Sequence, residues 1–138
     1  MNVVKVRCTR ILRGGQRGRP EIGDHPSVRI GREYVVLAMS GRPIDGVAYM
    51  ILRDDLPGAR AVWASEMFEI TSDLLPTSWR VRDNYGTGVS ISLVPEPWLD
   101  GDFFERLDAR DETAVRRFRD EVARLHEEEG LALDPWTA

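Results

Sequence analysis

The chain has 138 residues, of which 42% are hydrophobic and 30% charged, and its formal net charge is −4. This length and balance fit one folded domain over residues 1–138 and exclude a wholly disordered chain. The single cysteine excludes an internal disulfide, and neither a signal peptide nor the roughly 20 apolar residues of a membrane span occur, so we expect a cytoplasmic protein without membrane contact.

Residues 1–95 are predicted to be rich in β-strands. Val4, Val6 and Cys8 alternate with polar residues, and this period of two predicts a strand with one buried face over residues 3–10. The following residues 14–26 contain four glycines and two prolines. That composition predicts a long loop without regular structure.

A hairpin is predicted next. Residues 32–39 carry apolar side chains on both faces, which is typical of a central strand that is covered on both sides. A turn with Pro43 and Gly46 follows, and residues 47–53 repeat the strand pattern. The two segments are therefore expected to pair as antiparallel strands.

Shorter elements complete the β-rich part. Residues 61–64 predict a short strand, followed by a helical turn that Ser65 is placed to cap, and Phe68 and Ile70 are expected to return the chain to the core. Residues 79–83 and 89–93 alternate around a glycine-containing turn, which predicts a second hairpin.

Residues 96–138 change to a helical pattern. A short helix is predicted over residues 102–107 and a long amphipathic helix over residues 111–129, with Asp111 as its N-cap and Gly130 as its stop. Its apolar stripe consists of Val115, Phe118, Val122 and Leu125, and the i,i+4 pairs that we expect on its polar face are Arg116–Asp120 and Arg117–Glu121. Strands followed by helices predict an α+β fold, in which a small antiparallel β-barrel or rolled sheet precedes a C-terminal helical segment.

The residues that could support catalysis form no recognised motif. Cys8 lies on the inward face of a strand, where a thiol behaves as a small apolar group. No nucleophilic side chain is therefore recognisable as a catalytic partner of His25 or His126. The glutamates after His126 do not have metal-ligand spacing. We therefore expect no enzymatic activity, cofactor or metal, although an active site built from scattered residues would escape this test.

Four segments together resemble a known fold. They read VRCTRIL at residues 6–12, IGREYVVL at 30–37, YMILRDD at 49–55 and WASEMFEI at 63–70. Their order resembles an SH3-like β-barrel, and with PTSW at residues 76–79 and the acidic C-terminal segment the chain is similar to small bacterial proteins. Some such proteins accompany toxin genes as immunity proteins. The resemblance implies a compact barrel fold more than a function, since small barrels have many roles.

The acidic residues are concentrated at the C-terminal end, where residues 96–138 carry a net charge of −7 against +3 for residues 1–95. This asymmetry favours a non-catalytic protein-binding domain, an immunity or inhibitor protein that neutralises a partner such as a basic toxin. Trp98 lies at the junction and is the tryptophan that we expect to be partly exposed. The predicted contact residues are Trp98, Asp100, Asp102, Glu105 and Asp108.

An alternative hypothesis uses the opposite end of the chain. Residues 1–32 carry a net charge of +6, which favours a nucleic-acid-binding or regulatory module on the same barrel-like fold. Its leading residues would be Lys5, Arg7, Arg17 and Arg19. The acidic overall charge and the lack of basic residues interleaved with aromatics disfavour this hypothesis.

Overall fold

A computed structural model describes residues 2–42, 46–83 and 91–128 of the chain. Short 3-10 turns lie at Arg13–Gly15, Ser65–Met67 and Glu96–Trp98. The strands are β1 (Val4–Cys8), β2 (Ile11–Leu12), β3 (Glu21–Ile22), β4 (Glu33–Val35), β5 (Ala38–Arg42), β6 (Gly46–Leu52), β7 (Arg60–Ala64), β8 (Phe68–Asp73), β9 (Trp79–Asp83) and β10 (Ile91–Pro95), and the helices are α1 (Phe103–Asp108) and α2 (Glu112–Glu128).

The strands pair antiparallel in separate sheets. A three-stranded sheet has the order β4-β1-β8, and a five-stranded sheet has the order β7-β6-β5-β10-β9. The short strands β2 and β3 pair with each other. The described sheets are not closed into one barrel, so the fold is α+β, with antiparallel sheets followed by C-terminal helices.

The five-stranded sheet has a hydrophobic core on each face, as β6 shows. Tyr49 and Ile51 belong to a cluster that also contains β1 of the three-stranded sheet, whereas Met50 and Leu52 pack against a cluster built largely from α1 and α2. Alternate side chains of a strand point to opposite faces. The five-stranded sheet therefore lies between the three-stranded sheet and the helices.

The single strand predicted over residues 32–39 is wrong. The chain forms β4 in the three-stranded sheet and then β5 in the five-stranded sheet, with a break at Val36 and Leu37. Val36 packs in the cluster between the sheets and Leu37 in the cluster under the helices. Both faces are apolar because the segment crosses between two cores, not because one central strand is covered on both sides.

Both predicted hairpins are present. In the first, β5 pairs with β6 with Met39 opposite Tyr49; in the second, β9 pairs with β10 with Val81 opposite Leu93. The glycine-containing turn of the second hairpin lies outside the described residues. Two local expectations fail, because Ile70 on the edge strand β8 is 55% exposed and the N-cap of the turn Ser65–Met67 is Ala64, without a side-chain capping hydrogen bond. Phe68 packs against the core between the sheets as expected.

The loop predicted over residues 14–26 is tighter than expected. Gly15 adopts φ +67°, and a Cβ added there would lie 2.3 Å from the Trp63 ring. Glycine is the residue that fits both the left-handed backbone and this close approach. The start of the loop is therefore held against β7, while β3 pairs back onto β2.

Helices α1 and α2 confirm the predicted C-terminal pattern. The Asp111 carboxylate accepts a hydrogen bond from the backbone N–H of Ala114 at 3.0 Å, so it caps α2 as expected. Among the described residues, no helix has the length and apolar character needed to cross a membrane. The predicted stop at Gly130 lies outside the described part of the chain.

The predicted i,i+4 pairs on α2 are replaced by other contacts. Arg117 pairs with Asp100 at 3.1 Å, and Glu121 pairs with Arg124 one turn along the helix. Glu121 is 5% exposed and also accepts a hydrogen bond from the Ser78 hydroxyl at 2.8 Å. Glu121 therefore connects α2 to the segment before β9. The spacing of residues within the helix does not predict this contact.

Candidate functional site

Helix α1 carries most of the acidic residues that the sequence indicates for partner binding. Asp102 precedes its first residue, Glu105 lies in its first turn and Asp108 is its last residue. The side chains of Asp100, Asp102 and Asp108 are 58%, 62% and 69% exposed. The fold therefore brings all four predicted carboxylates to one exposed edge, which we call the acidic edge (Asp100, Asp102, Glu105 and Asp108).

Arginines compensate much of the acidic edge. The ion pairs, with their N···O distances, are Arg106–Asp100 (3.2 Å), Arg106–Asp102 (3.4 Å), Arg117–Asp100 (3.1 Å) and Arg60–Asp108 (2.9 Å). Within the described part of the chain, Glu105 has no ion-pair partner. The local charge is thus much smaller than the count of carboxylates suggests.

Trp98 is not part of an exposed surface, and this prediction is wrong. Its side chain is 0% exposed and stacks on Phe103 and Phe118 with ring centroids 5.9 Å and 4.9 Å away. Its indole Nε1 donates a hydrogen bond to the carbonyl oxygen of Arg117 at 3.2 Å. The 3-10 turn Glu96–Trp98 directs the ring inward, where it fills the space between the sheet and both helices.

A groove runs beside α1 on the same face of the five-stranded sheet. It encloses about 270 Å³, and Phe104 of α1 is among the residues that line it. Its sheet side includes small side chains at three neighbouring positions across the strands, Ala48 of β6, Ser40 of β5 and Ser92 of β10. Because these side chains are short, the sheet surface stays open beside the helix.

Contacts at both ends hold α1 across this sheet. Before the helix, the Arg82 guanidinium of β9 donates a hydrogen bond to the carbonyl oxygen of Gly101 at 2.9 Å. At its other end, Arg60 of β7 pairs with Asp108, and its guanidinium lies 5.1 Å from the centroid of the Phe104 ring. The helix therefore extends from one edge strand of the sheet toward the other, and it lines the groove with Phe104, while the charged residue in the groove lining is Arg82 of β9.

Most of the basic residues of the alternative hypothesis are ion-paired. Lys5 and Arg7 lie on β1 and contact Glu33 of β4 at 3.9 Å and 3.7 Å. Arg17 contacts Glu66, in the 3-10 turn before β8, at 2.9 Å. The exposed Arg19 lies in the loop before β3. Carboxylates from later strands therefore offset much of the positive charge of residues 1–32.

The residues considered for catalysis are engaged in contacts within the fold. Cys8 is 0% exposed, and burial raises the pKa of its thiol, which donates a weak hydrogen bond to the carbonyl oxygen of Arg10. His25 Nδ1 accepts a hydrogen bond from the backbone N–H of Ser27 at 3.0 Å. In the described ranges, no group of three or more histidine, cysteine, aspartate or glutamate side chains is arranged to hold a metal ion.

A polar cluster after β6 was not anticipated from the sequence. The Tyr34 hydroxyl donates to the Asp54 carboxylate at 2.6 Å and accepts from the backbone N–H of Arg29 at 2.8 Å. Burial and the bond to Asp54 raise the pKa of Tyr34, while a bidentate contact with Arg53 lowers the pKa of Asp55. The Asp54-Asp55 doublet at the end of a strand is the sequence signal, and a turn explains it equally well.

Comparisons with models of protein families, with curated proteins and with solved structures find no significant match to this chain.

Proposed function

We propose that the protein is a non-catalytic domain that binds a basic protein partner through the acidic edge and the adjoining groove. The observation that carries the proposal is the position of α1. The same helix presents exposed carboxylates to solvent and lines an open groove with Phe104. A partner segment with one apolar and several basic side chains is complementary to this combination.

The arginines in the acidic edge do not prevent such binding. Pairs between exposed side chains contribute about 0–1 kcal/mol, because water solvates both ions when the pair opens. A partner's lysine or arginine can therefore replace the exposed Arg117 as an ion partner of Asp100 at small cost. Glu105, with no ion-pair partner in the described part of the chain, is available without any exchange.

The finer features of the proposal come from the sequence. The resemblance to small bacterial immunity proteins makes a toxin the type of partner that we favour, and it also underlies the SH3-like description of the sheets. A single cysteine in 138 residues and the absence of disulfide spacing favour action in the cytoplasm.

Affinity capture from the native host at low salt tests the proposal. Tagged wild-type protein is compared with Glu105→Arg, which reverses a carboxylate that makes no described ion pair. We expect wild type to retain one basic protein near a one-to-one ratio. We expect Glu105→Arg to lose most of it, because the reversed charge repels a basic surface.

Glu21→Arg is the matched control, since Glu21 is an exposed carboxylate on β3 outside the acidic edge. It should retain the same protein as wild type. Equal recovery by wild type, Glu21→Arg and Glu105→Arg would contradict the proposed surface. Recovery of nucleic acid without a protein partner would contradict the proposed function and favour the basic residues of β1 and the loop before β3.

A further inference from the structure

The turn between α1 and α2 has an arginine where the backbone favours glycine. Arg110 adopts φ +64°. Its backbone N–H donates to the carbonyl oxygen of Leu107 at 3.1 Å, and the next residue, Asp111, donates to that of Arg106 at 3.0 Å. These two bonds define a Schellman helix end, in which the left-handed residue is usually glycine because a side chain is strained there. The turn itself therefore gives no reason for the Arg110 side chain.

The Arg110 side chain lines a cavity of about 550 Å³ between residues 56–60 and the adjoining ends of α1 and α2. Part of its surface is apolar, with Leu107 and Phe118 as nearly buried members of the helical core. We call this space the arginine cavity (residues 56–60, Leu107, Asp108, Arg110, Val115, Phe118 and Arg119). It is separate from the groove beside β5 and β10.

Guanidinium groups reach the arginine cavity from three parts of the fold. Arg60 comes from β7, Arg110 from the turn and Arg119 from α2. Asp108 is the carboxylate among the described lining residues, and Arg60 pairs with it at 2.9 Å. The Arg110 guanidinium makes no ion pair or hydrogen bond with the described part of the chain. The cavity thus combines an apolar floor with the Arg110 guanidinium, which no described ion pair compensates.

We propose that the arginine cavity binds a small ligand in which an oxyanion, a phosphate or a carboxylate, is joined to an apolar group. Guanidinium groups form paired, charge-assisted hydrogen bonds with such oxyanions. Arg110 supplies these bonds at the mouth of the cavity, and Leu107 and Phe118 contact the apolar group. Backbone strain retained at a ligand-binding residue accounts for arginine in a position that glycine fits better.

Calorimetric titration with phenyl phosphate and benzoate tests the site, with inorganic phosphate as the ligand that lacks an apolar group. We expect wild type to bind one of the aromatic anions in the millimolar range or tighter, and inorganic phosphate at least about tenfold more weakly. Tighter binding of phenyl phosphate assigns the oxyanion as a phosphate, and tighter binding of benzoate assigns it as a carboxylate. Failure of both aromatic anions to bind, or equal binding of inorganic phosphate, would overturn the proposal.

The variant Arg110→Gly distinguishes the effect of Arg110 on ligand binding from its effect on the stability of the fold. We expect it to weaken binding of the aromatic anion at least about tenfold, because a charge-assisted hydrogen bond is lost. The same change should raise Tm by about 2 °C, since glycine relieves the strain at φ +64°. Arg19→Gly, the same substitution in an exposed loop, should leave binding unchanged. Unchanged affinity in Arg110→Gly would contradict the assignment.

Discussion

Tyr34 is the residue with the clearest consequence for stability. It is 7% exposed, and its hydroxyl both donates to Asp54 and accepts from the backbone of Arg29. Removing the hydroxyl leaves the backbone N–H of Arg29 without its acceptor, and it leaves the nearly buried Asp54 carboxylate with its ion pair to Arg32 at 3.2 Å but without the hydroxyl donor. Tyr34→Phe is therefore expected to lower the free energy of unfolding by about 1–3 kcal/mol, measured by urea denaturation near neutral pH.

The same residue predicts how stability changes at alkaline pH. The pKa of folded Tyr34 is raised above the ordinary value of 10.0, by burial and by its bond to Asp54. Its contribution is therefore complete below pH 10 and is lost as the pH rises above that value. Wild type should lose more stability than Tyr34→Phe between about pH 8 and pH 10.5.

Tyr49→Phe provides the control for the alkaline measurement. Burial also raises the pKa of Tyr49, but no hydrogen bond to Asp54 contributes there. This variant should therefore keep the part of the alkaline loss that Tyr34 causes. Identical pH dependence in wild type and Tyr34→Phe would contradict the assigned role of the Tyr34 hydroxyl.

Trp98 shows where residue-level reasoning from sequence fails. Its position at the junction between strands and helices is compatible with exposure or with burial, and composition does not distinguish the two. The burial of Trp98 is determined by its packing against Phe103 and Phe118, which come from two different helices. The buried face of β1, by contrast, follows from the alternation of Val4, Val6 and Cys8 alone.

At the scale of elements, predictions succeed where one face of an element is apolar. The stripe on α2 and the buried face of β1 are of this kind. Residues 32–39 are apolar on both faces, and this pattern does not distinguish a covered central strand from a segment that crosses between two sheets. The break at Val36 and Leu37 depends on which core each side chain enters, which is a tertiary property.

Helix α2 is connected to the sheet by a polar contact that its periodicity does not predict. Glu121 accepts hydrogen bonds from Arg124 and from Ser78. Arg124→Met leaves the nearly buried carboxylate with one of these donors, so we expect a loss of about 2 kcal/mol in the free energy of unfolding, measured by urea denaturation.

Two further variants test that interpretation. Arg116→Met removes an exposed arginine from the same helix and should change stability by less than about 0.5 kcal/mol. In a Glu121→Gln background, Arg124→Met should cost less than in wild type, because the buried charge is already absent. An equal cost in both backgrounds would show that the guanidinium acts through its other contacts, such as its hydrogen bond to the Ser78 hydroxyl at 2.6 Å, and not through the carboxylate.

At the scale of the whole molecule, the charge asymmetry of the sequence is partly cancelled by folding. The N-terminal basic residues meet Glu33, Glu66 and Glu69, and arginines compensate the C-terminal carboxylates. Counts of charged residues along the sequence locate the acidic edge. They overestimate its electrostatic field, because they do not include ion pairs between residues that are distant in the sequence. No sequence pattern predicts the groove or the arginine cavity, since each is lined by residues from several elements.

The central claim is that α1 is the surface at which a basic partner associates. The most direct test is the association rate constant of the captured partner with wild type, Glu105→Arg and the control Glu21→Arg, at low and high salt. We expect a several-fold slower association for Glu105→Arg at low salt, a smaller difference at high salt and no change for Glu21→Arg. Equal association rates for all three proteins at low salt would contradict it.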